Sequence, residues 1–85
     1  MWFEMSPNSQ EWRRFISLGV DGLDETYPIY RHDSNKAIIY HNEYEDGDYA
    51  YAVFVRDDGD CFATLDDAKQ WAEEYIVTFN PLVVI

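Results

Sequence analysis

Residues 49–55 read Tyr49-Ala50-Tyr51-Ala52-Val53-Phe54-Val55, an apolar run with carboxylates on both sides. Aromatic and β-branched residues are typical of strands, and the acidic, glycine-containing segments 45–48 and 57–60 are typical of the turns that end them. Alternation along a strand gives one face Tyr51 and Val53 and the other face Ala52 and Phe54, so that both faces are apolar. The run therefore predicts a central strand over residues 49–55 that a helix covers at least in part.

Length and composition limit the class of protein. Eighty-five residues correspond to one domain with one core, and a hydrophobic share of 47% is too high for a disordered acidic tail. Cys61 is the only cysteine, which excludes an intramolecular disulfide and favours a reducing compartment. The chain lacks the pattern of a signal peptide and any apolar run long enough to span a bilayer. We therefore expect a cytoplasmic protein without membrane association.

Charge is the strongest feature of the composition. Seventeen Asp and Glu residues oppose six Lys and Arg residues, for a net charge of −11. Residues 1–20 are neutral, and residues 21–85 carry fifteen acids against four basic residues. This imbalance argues against direct binding to nucleic acid, which requires a basic footprint.

Two helices are predicted. Ser6-Pro7 suits the start of the first one, Trp12, Phe15 and Ile16 then share a face, and Gly19 suits its end. Thr64 and Asp67 resemble a capping box at the start of the second one. An apolar stripe at spacings of three and four residues follows from position 68 to position 79, and Asn80-Pro81 is expected to end the helix.

The remaining segments predict an antiparallel sheet. A strand is predicted over residues 37–41, a less clearly marked one over 29–32, and a short one over 61–63 after a turn at residues 57–60. The apolar segment 82–85 is expected either to add an edge strand or to pack on the core, and as an exposed edge it would mediate self-association. The predicted fold class is α+β, a sheet of three to four antiparallel strands packed by an N-terminal and a C-terminal helix.

Catalytic and metal-binding patterns give little signal. His32 and His41 match no zinc spacing, and a turn at Ser34-Asn35 would place His32 opposite Ala37 instead of His41. The acidic segments lack the ligand order of an EF-hand. Seventeen acids make paired carboxylates inevitable and uninformative, and no nucleophile constellation or phosphate-binding glycine loop can be assembled. We therefore predict no catalytic site, no metal and no cofactor.

The carboxylates are more informative as an array. A loop patch at residues 43–48 and a turn patch at 57–60 are predicted, with Asp66 and Asp67 nearer the loop patch and tyrosines 40, 44, 49 and 51 interleaved. Closely spaced anionic groups of this kind could imitate a nucleic-acid backbone, and tyrosines suit protein contacts. The residues predicted to contact a partner are Glu43, Tyr44, Glu45, Asp46, Asp48, Asp57, Asp58, Asp60, Asp66 and Asp67.

In size, charge and these acidic segments, the chain resembles small phage-encoded inhibitors of bacterial defence, the anti-CRISPR and anti-restriction proteins of the DNA-mimic type. The resemblance implies a protein of the host-cell cytoplasm that occupies a basic nucleic-acid-binding surface of a defence effector. Two alternatives stay open from the residues alone. One is an immunity or antitoxin-type protein that neutralises a basic toxin, and the other is an acidic oligomeric scaffold domain, for which a homodimer is expected.

Overall fold

The computed structural model describes residues 1–20, 22–44, 47–56 and 58–79. Five strands form one antiparallel sheet in the order β1-β2-β3-β4-β5, and two helices pack on it. The elements are β1 (Trp2–Met5), α1 (Gln10–Ile16), β2 (Ile29–His32), β3 (Ala37–His41), β4 (Tyr51–Val55), β5 (Asp58–Phe62) and α2 (Leu65–Phe79). The α+β class is confirmed, but within the described residues the sheet has five strands and not three to four.

The two helices lie on opposite faces of the sheet. Leu65, Ala68, Ala72 and Ile76 of α2 pack on one face, which we name the α2 face. Its sheet residues include Ile39 and Val53, and neither of these two is exposed to solvent. The small side chains at positions 68 and 72 let the helix lie close to the sheet, and burial of this face contributes much of the stability.

The opposite side of the sheet is the α1 face. Trp12 of α1 is buried there, and Phe15 and Ile16 pack beside it. The Nε1–H of Trp12 donates a 3.0 Å hydrogen bond to the backbone oxygen of Tyr27. This bond ties the first helix to the segment that leads into β2. The predicted common face of Trp12, Phe15 and Ile16 is confirmed.

Several predicted element boundaries are wrong. The first helix begins after Ser9 and not at Ser6-Pro7, because Asn8 has a left-handed backbone (φ +71°) and the Ser9 hydroxyl accepts from the Trp12 amide. The residues before it form β1, the outermost strand of the described sheet, which pairs with β2 and which sequence analysis missed. Strand β4 begins at Tyr51 because residues 47–49 form a 3₁₀ turn.

The last predicted strand is also misplaced. Strand β5 covers Asp58–Phe62, whereas residues 57–60 were predicted as a turn and 61–63 as the strand. Val55 pairs with Asp58, so the strands are joined by only two residues, of which the described one, Arg56, has φ +57°. A left-handed residue at this position suits a tight hairpin, and the acidic segment is thereby drawn into the sheet. The strands over 29–32 and 37–41 are confirmed, and the predictions for residues 80–85 lie outside the described residues.

Candidate partner-binding surface

The predicted contact residues that the structure describes are all exposed. They are Glu43, Tyr44, Asp48, Asp58, Asp60, Asp66 and Asp67. Three other predicted residues, Glu45, Asp46 and Asp57, lie outside the described part of the chain. A charged carboxylate is most stable in contact with water, since burial would cost several kcal/mol of desolvation free energy. Exposure alone therefore does not define a binding surface, which requires that the fold bring several of these groups together.

The segment after β3 holds Glu43 and Asp48 at one end of the sheet. The amide of Glu43 donates a 2.7 Å hydrogen bond to the Gly22 oxygen, and the Asn42 amide donates to the Ala50 oxygen at 2.8 Å. The Asn42 side chain donates to the backbone oxygen of Tyr49. Tyr44 is 80% exposed beside these anchored residues. The segment thus presents acids and an aromatic ring from a hydrogen-bonded base.

Strand β5 forms an acidic margin of the described sheet. Asp58 and Asp60 pair with Val55 and Val53, so that both carboxylates are on the α2 face of the strand. The hydroxyl of Tyr75 donates a 2.8 Å hydrogen bond to Oδ2 of Asp58. This bond is the largest cause of the raised pKa of Tyr75, and desolvation by burial is the second. Asp60 accepts from the Cys61 amide at 2.8 Å. The first contact ties the Asp58 carboxylate to α2, and the second holds the Asp60 carboxylate against the backbone of its own strand.

The start of α2 supplies further acids. Thr64 caps the helix, because its hydroxyl accepts from the Asp67 amide at 3.1 Å, which confirms the Thr64 half of the predicted capping box. Asp66 and Asp67 occupy the first turn, where the helix dipole stabilises negative charge. Asp67 and Glu74 line a shallow hollow of about 300 Å³ with Phe62 and Trp71. Sequence analysis assigned Trp71 to the buried stripe, and its half-exposed place beside these acids was missed.

These acids form one flank of the molecule, which we name the acidic flank and define as Asp58, Asp60, Asp67 and Glu74. Strand β5 ends at Phe62 and α2 begins three residues later, so α2 returns beside the strand. Asp58 and Phe62 are four residues apart, or about 14 Å along a strand. Asp66 and Asp67 lie at the sheet end that holds Glu43 and Asp48, because Tyr51 pairs with both His41 and Phe62.

The tyrosines divide between surface and core. Tyr44 and Tyr49 are exposed, at 80% and 58%, as expected for contact residues. Tyr40 is only 6% exposed and packs with Trp12, so its predicted place on the acidic surface is wrong. The physical reason is strand alternation, which directs Tyr40 to the α1 face opposite Ala52.

The histidines serve local structure. The β2–β3 register places His32 opposite Ala37, as predicted, and His32 Nδ1 lies 2.8 Å from the Ser34 hydroxyl. His41 is buried against Tyr27, with ring centroids 3.9 Å apart and nearly parallel. Among the described residues, no three His, Cys, Asp or Glu side chains cluster as metal ligands would, and no helix is long and apolar enough to cross a bilayer.

The chain matches no protein-family model, and no curated protein or solved structure matches it. The charge and geometry of the acidic flank are therefore the basis on which a function can be proposed.

Proposed function

We propose that the protein binds a basic nucleic-acid-binding surface of another protein and inhibits it by occupying that surface. The observation that carries this proposal is the acidic flank, in which Asp67 and Glu74 of α2 line a half-exposed aromatic hollow and Asp58 of the adjacent strand is hydrogen-bonded to Tyr75 of the same helix. Complementary charge would speed the encounter and make binding sensitive to salt. The partner we propose is a bacterial defence effector, in a cytoplasm shared with a phage.

The basic residues nearest in sequence lie away from the hollow. Lys69 lies over the ring of Tyr30 on β2, with its Nζ 5.4 Å from the ring centroid. Arg56 lines a different hollow with Phe54 on the α1 face. Among the described residues that line the hollow none is basic, and Asp67 contributes negative potential on the side that would meet a partner. A cation within about 4–6 Å of this carboxylate would have reduced that negative potential.

The spacing of the acids suits a surface that normally receives nucleic acid. Asp58 and Asp60 lie on one face of a strand, two residues or about 6.8 Å apart. A basic groove built for closely spaced phosphates would thus meet two neighbouring carboxylates on this strand.

The aromatic hollow supplies contact energy that charge alone does not. Phe62 and Trp71 lie 6.0 Å apart between ring centroids, and Trp71 stacks on Tyr75 at 4.6 Å. Rigid aromatic side chains at the centre of a charged rim are typical of the residues that dominate binding energy at protein interfaces. We therefore assign affinity mainly to Trp71 and association rate and selectivity to the acids.

Affinity capture tests the proposal. The protein is immobilised, bacterial lysate is passed over it, and bound proteins are eluted by a stepwise increase in NaCl. We expect the eluted protein to be basic and to bind nucleic acid. Duplex DNA added to the lysate should compete with the immobilised protein for this partner. Direct binding of the protein itself to DNA is not expected at a net charge of −11.

Two variants of equal charge give the control. Asp58→Asn, Asp60→Asn and Asp67→Asn remove three charges from the flank and keep oxygen acceptors for Tyr75 and Cys61. Glu4→Gln, Glu11→Gln and Glu25→Gln remove three exposed charges elsewhere. Loss of capture by the flank variant alone supports the proposal. Equal capture by both variants, or capture that 500 mM NaCl does not weaken, contradicts it.

A further inference from the structure

The α1 face of the sheet carries two cross-strand rows, and α1 covers only one of them. The covered row includes Met5, Ile29, Tyr40 and Ala52, which are buried under Trp12. The second row, which we name the open row, crosses all five strands in register and consists of Phe3, Arg31, Ile38, Phe54 and Gly59. A helix of seven residues is about 10 Å long, which explains why it leaves the second row uncovered.

The open row exposes large apolar side chains. Phe3 is 43% exposed and Phe54 is 39% exposed, and Ile38 between them is half-buried. Phe54 is held in place, because its ring stacks on Tyr40 at 5.8 Å and extends over the strand position of Gly59, where no side chain opposes it. The row therefore forms a floor about 19 Å wide, from four interstrand spacings, in which Phe3, Ile38 and Phe54 supply the apolar side chains.

Basic side chains surround this floor. The Arg31 guanidinium lies 5.0 Å from the centroid of the Phe3 ring and donates a 2.6 Å hydrogen bond to Oδ1 of Asn35. A hollow of about 270 Å³ is lined by Arg31, Lys36 and Arg56 over Ile38 and Phe54, and no described residue that lines it is acidic. The charged residues that line this hollow are thus positive, whereas the chain as a whole, with seventeen acids and six basic residues, is negative.

An adjoining hollow extends the basic surface toward α1. It shares Arg31 and Ile38 with the first hollow and adds Arg14, Phe15 and Leu18 of the α1 segment. One acid, Glu11, also lines it. The carboxylate of Asp33, near the turn, lies 3.3 Å from the amino nitrogen of Met1 and 3.3 Å from His32 Nδ1. The nearby acids therefore offset the basic residues only in part.

We propose that the open row binds an extended acidic peptide segment of a partner protein, with carboxylates on the basic rim and apolar side chains against Ile38 and Phe54. A floor of about 19 Å accommodates five or six extended residues. This site has the opposite sign to the acidic flank and lies on the other face, so it does not depend on the function proposed above.

Charge complementarity favours a short acidic peptide over a nucleic acid. The basic residues Arg31, Lys36 and Arg56 that line the first hollow are a local exception in a chain whose net charge is −11. A polynucleotide longer than the floor would bring its phosphates within a Debye length, about 8 Å, of the surrounding carboxylates. A peptide of five or six residues is short enough to stay on the row, where Glu4 and Glu11 beside Phe3 and Arg31 are the described acids that line the adjoining hollows. A second copy of this chain would bring a net charge of −11 against −11, which disfavours it as the occupant.

The test uses fluorescence anisotropy with a labelled hexapeptide that alternates glutamate and phenylalanine. We expect saturable binding that weakens as NaCl rises from 50 to 300 mM. Lys36→Glu should weaken binding about tenfold, since an attraction becomes a repulsion. Lys69→Glu, an equal charge change on the α2 face, should leave it within about twofold. Circular dichroism confirms that both variants are folded.

Comparison ligands make the proposal falsifiable. A peptide that alternates glutamate and serine should bind at least tenfold more weakly, because it cannot use the apolar floor. Equal binding of a peptide that alternates lysine and phenylalanine would overturn the proposal. Tighter binding of single-stranded oligothymidylate would overturn it in favour of a nucleic acid. If the peptide does not bind, and sedimentation shows self-association that Lys36→Glu abolishes, the proposal is overturned in favour of a second copy of the chain.

Discussion

Truncation of Trp12 tests the packing that separates the covered row from the open row. Trp12 is 6% exposed and is the buried residue of α1, and its indole N–H donates to the Tyr27 oxygen at 3.0 Å. Trp12→Ala should cost about 3–5 kcal/mol, the usual range for loss of a buried aromatic side chain. Trp12→Phe should cost about 1–2 kcal/mol, because it loses the hydrogen bond and part of the buried area.

The size of the protein converts these costs into large thermal shifts. A domain of 85 residues has an unfolding free energy of about 4–13 kcal/mol and an unfolding entropy of about 0.18 kcal/mol/K. One kcal/mol then lowers Tm by about 5–6 °C, so Trp12→Phe should lower it by about 6–11 °C. Trp12→Ala should remove a quarter or more of the total stability.

Thermal unfolding followed by far-ultraviolet circular dichroism, with urea titration at 25 °C, measures both variants. Trp71→Phe is the control, since Trp71 is half-buried and phenylalanine keeps a ring against Tyr75. We expect the control to lose less than about 1 kcal/mol. A Tm for Trp12→Ala within 5 °C of the parent would show that α1 does not cover the sheet, and the distinction between the two rows would fail.

Three further predictions concern the strand margin and α2. Gly59→Ala should cost about 1 kcal/mol of unfolding free energy in urea titration and increase the exposure of Phe54, because the new Cβ would lie 2.5 Å from the Cε1 of Phe54. Combination with Phe54→Leu should reduce that cost, since the shorter side chain leaves room for the Cβ. Thr64→Ala should lower Tm by about 5–6 °C by loss of the helix cap, and Thr64→Ser should not. Because the pKa of Tyr75 is raised above 10.0 by its bond to Asp58, its contribution to stability is present below pH 10 and is lost as pH rises through the folded-state pKa. Burial also raises the pKa of Tyr30, so ultraviolet titration should show two late tyrosinates, of which only that of Tyr75 moves to lower pH in Asp58→Leu; no movement would contradict the bond.

Local patterns in the sequence predicted the elements that have clear boundaries. Thr64 with Asp67 marked the start of α2, and the three- and four-residue spacing marked its buried side. The strands over 29–32 and 37–41 followed from the turn at residues 33–36. These features depend on interactions between residues fewer than five positions apart.

The missed features depend on pairing between distant residues. Residues 2–5 form a strand only because β2 is available to pair with them, and residues 58–60 join the sheet because Arg56 permits a hairpin with two connecting residues. The polar segment at 58–60 has low strand propensity, so sequence alone favoured a turn. Tertiary pairing prevailed over that propensity.

The candidate sites divide in the same way. Exposure of the acids followed from their charge, whereas the return of α2 beside β5, which places Asp67 and Glu74 in one hollow with Trp71, required the topology. The basic hollow was missed because Arg56 is far in sequence from Arg31 and Lys36. Only the registers of β2, β3 and β4 bring them to one face.

The most direct measurement for the acidic flank is the affinity of the captured target for the two variants of equal charge, at 100 and 300 mM NaCl. We predict that Asp58→Asn, Asp60→Asn and Asp67→Asn together weaken binding at 100 mM by at least tenfold and flatten its salt dependence, and that Glu4→Gln, Glu11→Gln and Glu25→Gln leave both nearly unchanged. Equal affinities and equal salt slopes for the two variants would contradict recognition through this flank.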